Sequence, residues 1–183
     1  MVRSRLQITS LAALAALLVP AATAVAQHAA PTTPPQQTTA TYEDWIVRCE
    51  TLPGPPPSRN CEMVQFTQAK GGGGVISQVA IGRPAKNQPT KLVVQLPIGI
   101  WLPTGVKLVA GAKDAGLVAV FKRCVPAACF ADVDISNEAL RRYRAVTEPG
   151  QIQFKDGAQK DATLPVSFKG FGTAYDALLK ESN

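Results

Sequence analysis

Residues 45–82 read WIVRCETLPGPPPSRNCEMVQFTQAKGGGGVISQVAIG, and this stretch decides the fold class. Trp45–Cys49, Cys61–Gln68 and Val75–Gly82 are short runs rich in β-branched residues. A segment with four prolines separates the first two, and Gly71–Gly74 separates the second from the third. Short runs joined by tight, turn-forming links predict antiparallel strands, because parallel pairing requires long crossovers. The same pattern continues outward through Lys91–Leu96, Val106–Ala110, Leu117–Arg123 and Phe130–Asp132, and returns at Gln151–Phe154 and Thr163–Phe168. The expected class is all-β with one or two short helices. The four glycines do not read as a phosphate loop, since Val75-Ile76-Ser77 follows them where Lys-Ser or Lys-Thr would open a helix. They predict a hairpin tip.

Two helices are expected. Ser136 is a good N-cap for Asn137–Ala145, with Glu138 placed to suit the helix dipole. Phe171, Tyr175 and Leu178 recur at helical spacing and put one apolar face on a C-terminal helix, better suited to covering the sheet than to meeting a partner. No internal repeat is apparent.

The N-terminus has a different character. Arg3 and Arg5 precede an apolar run, Leu11–Val19, and Ala24-Val25-Ala26 offers small residues for a peptidase. Residues 1–26 are therefore expected to be a cleaved signal peptide, the apolar run being too short for a bilayer span. No transmembrane segment is expected after cleavage. Residues 27–41, QHAAPTTPPQQTTAT, hold no large apolar side chain and are expected to be a disordered tether. Residues 42–183 then form one domain of ordinary size. The net charge of +6 is scattered, and Arg141, Arg142 and Arg144 read as a solvated helix face, so no nucleic-acid partner is expected.

Four cysteines in an exported chain predict two disulfides. Cys49 with Cys61 and Cys124 with Cys129 is the favoured pairing, each bracketing a turn-like segment. A bond across the sheets from Cys49 or Cys61 to Cys124 is the alternative. The four-residue gap from Cys124 to Cys129 does not fit a redox Cys-x-x-Cys site. His28, the single histidine, lies in the tether, so neither a zinc site nor a His-based catalytic constellation can be assembled in the domain. No cofactor is implied. Asp132 and Asp134, with Glu43 and Asp44, are the only cheap route to acid–base chemistry, and solvated edge charges explain them better. Leu96–Pro103, LPIGIWLP, predicts a sharp connection whose Trp101, if exposed beside Ile100, would anchor a partner.

Several short motifs occur in a shared order: Trp45-x-x-x-Cys49, Cys61-x-Met63-x-Gln65, Leu96-Pro97-x-Gly99, Gly105-Val106, Phe121-x-x-Cys124, Cys129-x-Ala131 and Ser167-Phe168-Lys169-Gly170-Phe171 with Ala174. Together they resemble the invasion-associated locus B family of alphaproteobacteria. The resemblance implies an immunoglobulin-like β-sandwich in a periplasmic, envelope-associated or secreted protein, linked in pathogenic members to entry into host cells, notably erythrocytes. It implies no catalytic residue. Two positions depart from the family pattern: Trp101 stands where an aliphatic residue is usual, and Ala128 stands where glycine is usual before Cys129. Ala128 is thus expected to strain the turn if it needs a positive φ. The functional expectation is a non-catalytic exported protein that meets a protein or envelope partner. A periplasmic small-ligand or glycan binder, or a hydrolase using the carboxylates, is the alternative.

Overall fold

The computed structural model describes residues 36–85 and 87–182. The expected signal peptide and the first part of the expected tether lie outside them. Ten strands and two helices follow in the order β1 (Gln37–Tyr42), β2 (Trp45–Leu52), β3 (Ser58–Gln68), β4 (Val75–Gly82), β5 (Lys91–Pro97), β6 (Val106–Val109), β7 (Leu117–Val125), β8 (Ala128–Asp134), α1 (Asn137–Arg144), β9 (Gly150–Lys155), β10 (Asp161–Val166) and α2 (Phe171–Glu181). The nine expected strands are all present.

The tether expectation needs correction at its end, because Gln37–Thr41 belong to β1 and pair with β2 from Gln37 opposite Glu50 to Tyr42 opposite Trp45. Low apolar content suggested disorder, but an edge strand gains its order from backbone bonds to a neighbour. Its threonines and Tyr42 also suit extended backbone.

All pairings are antiparallel and join into one sheet ordered β1-β2-β3-β4-β5-β8-β7-β6-β9-β10. The all-β class and the two short helices are as expected. The two separate sheets of an immunoglobulin-like sandwich are replaced by this single curled sheet. Strand β7 explains the difference. Its Leu117–Ala119 pair with β6, its Val120–Val125 pair with β8, and the register shifts between Phe121 and Arg123. A bulge at that point bends the strand and lets it turn the corner between the two parts of the sheet.

The concave side holds the core. Alternate residues of β2 to β5, including Val47, Met63, Ile81, Leu92 and Val94, point inward with Leu108 and Ile152 from β6 and β9. Helices α1 and α2 cover them with Leu140, Tyr143, Phe171, Tyr175 and Leu178. The C-terminal apolar face is therefore core, as expected. Ser136 caps α1 by accepting a hydrogen bond from the Ala139 amide at 3.1 Å.

Where β10 curls back toward β3, side chains close the gap. The Gln65 amide donates to Ser167 O at 2.9 Å and accepts from Ser167 N at 2.7 Å, much as a strand's peptide group would. Thr67 Oγ1 donates to Pro165 O at 3.0 Å, and Trp45 Nε1 donates to Ser167 O at 2.9 Å. Pro165 lacks an N–H, which places it well on this edge strand.

Candidate functional site

The cysteines come first, because they stiffen the ends of two hairpins. Cys49 and Cys61 are direct cross-strand partners in β2 and β3, and Cys124 and Cys129 are partners in β7 and β8. Both pairs stand at disulfide distance with Cα atoms 4.0 Å apart. This is the favoured pairing, not the cross-sheet alternative, and no free cysteine occurs among the described residues. Ala128 opens β8 opposite Val125 without a positive φ, so the turn Pro126–Ala127 carries no strain from the missing glycine.

The four carboxylates that the sequence singles out fall in two separate places. Asp132 and Asp134 stand on the outer face of β8, each accepting a hydrogen bond from Lys91 Nζ at 2.8 Å. Those two bonds hold the Lys91 ammonium well above its usual pKa. The ammonium thus lies between the two carboxylates and pairs with both. Glu43, with φ of 52°, and Asp44 form the β1–β2 turn instead. Among the described residues no group of three or more His, Cys, Asp or Glu is placed to hold a metal ion.

Tyr143 lines a cleft of about 410 Å³ together with Lys113, Asp114 and Arg142. Its buried hydroxyl has no hydrogen-bond partner, and burial with the nearby Asp114 charge pushes its pKa up to about 12. A phenol held so firmly protonated serves packing better than acid–base chemistry near neutrality. It lies among Phe168 and Phe171, at ring distances of 5.4 and 6.1 Å.

The connection after β5 is different in kind. Leu96 is buried, whereas Ile98, Trp101 and Leu102 are 58, 36 and 41% exposed. Gly99 turns the chain at a φ of 86°, and Gly105 returns it at 67°, where a Cβ would come within 2.5 Å of Ala119 O. The segment is pinned rather than loose. Trp101 N donates to Lys155 O at 2.9 Å, Gly157 N donates to Gly99 O at 2.7 Å, and Ile100 forms a bridge to Asp156 while packing against the core. The neighbouring β7–β8 tip adds Val125, 43% exposed, one strand beyond the Pro97–Ala128 pair. The result is an exposed apolar end built from two braced turns. Sequence reasoning named Trp101 but missed Val125 and the bracing from the β9–β10 hairpin, since neither is near Trp101 in the chain.

The model of the invasion associated locus B (IalB) protein family matches residues 45–179. The chain belongs to this family. The matched span starts at Trp45, contains both cysteine pairs and the Pro97–Pro103 connection, and ends within α2, leaving β1 outside. Among solved structures, the crystal structure of invasion associated protein b from Bartonella henselae is similar in fold, with a TM-score of 0.67 and 19% identity. The likeness covers 78% of this chain and 95% of that one. No curated protein matches the chain. For this IalB-family chain the comparisons support the all-β fold and a family-level role. No helix among the described residues is long and apolar enough to cross a membrane.

Proposed function

We propose that this IalB-family protein is a non-catalytic, exported envelope or secreted protein that acts by surface contact and contributes to host-cell association. The observation that carries the reading is the braced apolar end. Ile98, Trp101, Leu102 and Val125 are held in water by a rigid backbone, where tryptophan is the residue best suited to anchor a protein partner. Export is supported by residues 1–26 and by two cysteine pairs that suit an oxidising compartment. A non-catalytic reading is supported by the pairing of Asp132 and Asp134 with Lys91.

Deleting the gene and restoring it with wild type or Trp101→Ala tests the proposal. Reduced host association and a weakened envelope on deletion, rescued by wild type but not by Trp101→Ala, is the expected result. Unchanged association and envelope integrity after deletion would overturn it.

A further inference from the structure

The two edges of the sheet are treated differently. The β10 edge is closed by Gln65 and Thr67 and carries Pro165. The β1 edge, with sequence QTTATY, has no charge, no proline and no break in register, and among the described residues β1 pairs on one side only. Natural sheets blunt their edges with charges, prolines, bulges or covers, and an edge without them is a template for another strand. β1 lies outside the span of the family match, residues 45–179.

We infer that β1 pairs with β1 of a second copy of this chain, antiparallel across a two-fold axis. The β1–β2 hairpin turns through Glu43 and Asp44, so Tyr42 and Trp45 are its closing pair, and Gln36 O accepts from Thr51 N in the same phase. Tyr42, Ala40 and Thr38 therefore spend their peptide groups on β2. Those of Gln37, Thr39 and Thr41 face outward. Only the register centred on Thr39 uses all three. It sets Thr39 against its symmetry mate and Gln37 against Thr41, forming about six hydrogen bonds. No like charges oppose each other, and a Thr–Thr pair at the axis is favourable across strands. The Glu43–Asp44 turn after β1 limits how far the pairing can slip. This self-complementarity selects a second copy over an unrelated peptide, because a two-fold contact uses one surface twice. A six-residue edge buries less than a permanent dimer needs, so the association is reversible, with a Kd of roughly 0.1–1 mM.

Sedimentation equilibrium of the chain as exported, over about 0.01–2 mM, tests this. Wild type and Trp101→Ala should both dimerise with concentration, which separates this contact from the apolar end. Thr39→Pro removes an outward N–H that β2 does not use and should stay monomeric at an unchanged melting temperature. If it fails to fold, Thr39→Lys, which opposes two charges at the axis, should be monomeric in its place. Hydrogen exchange gives a second readout: the amides of Gln37, Thr39 and Thr41 should slow with concentration while those of Thr38 and Ala40 do not. A wild type monomeric throughout the range, or a folded Thr39 variant that dimerises like wild type, would overturn the inference.

Discussion

The two tryptophans mark two regions built on opposite principles. Trp45 is 1% exposed, donates its indole N–H to Ser167 O and meets Phe171 edge-on at 5.2 Å. Around it, Gln65, Ser167 and both helices close the curled sheet. Trp101 is 36% exposed and its ring lies outside the core, although its backbone is tied to Lys155. The first region uses its aromatic residues for cohesion. The second fixes its backbone and leaves its apolar side chains free, which is the arrangement expected of a contact surface.

Trp45→Ala should give the largest stability loss, about 3–5 kcal/mol in urea unfolding, because it empties a fully buried site and removes one of the two hydrogen bonds to Ser167 O. A loss below ~1 kcal/mol would break the comparison. Next come the staples. Replacing both members of Cys49–Cys61 by serine should cost about 3 kcal/mol, and of Cys124–Cys129 about 2 kcal/mol, following their loop lengths in the chain-entropy model. Non-reducing peptide mapping should first show these two pairs and no free thiol.

Gln65→Ala should cost about 1–3 kcal/mol, since it strips the Ser167 N–H of its acceptor in a partly buried site. Its thermal unfolding should remain a single transition, because the core beneath the latch is untouched.

The smallest effect belongs to the surface. Arg144 hydrogen-bonds Asp176 at 2.6 and 2.8 Å and holds its carboxyl below the usual value. A depressed carboxylate stabilises the fold above its unfolded pKa near 4, and that gain disappears as pH falls through the lower folded value. The pair is solvent-screened, so Asp176→Asn should cost only a few tenths of a kcal/mol at pH 7 and should flatten the acid limb below about pH 4.

Much of the closed region was legible in the sequence. The β-branched runs marked the strands, Ser136 marked the start of α1, and the spacing of Phe171, Tyr175 and Leu178 marked the buried face of α2. These signals are local, set by alternation, capping and helical period. Strand β1 was not legible, because its order comes from pairing with β2 and its own composition is polar. The bend in β7 was not legible either, since no glycine or proline marks the bulge near Lys122. The Gln65 latch joins residues about a hundred positions apart, and nothing around Gln65 distinguishes it from an exposed strand glutamine. At the apolar end, Trp101 stood out by type and by its flanking prolines. Its exposure depended on where the β7–β8 and β9–β10 turns came to rest.

The central claim is that the apolar end makes the contact while the Trp45 region holds the fold. A pull-down from host-cell and envelope extracts with a chain beginning at Gln27, run beside its Trp101→Ala variant at matched melting temperature, tests it most directly. Wild type should recover a specific protein partner that is lost at least tenfold with Trp101→Ala, whose stability should stay within about 0.5 kcal/mol. Equal recovery of that partner by both proteins would contradict it.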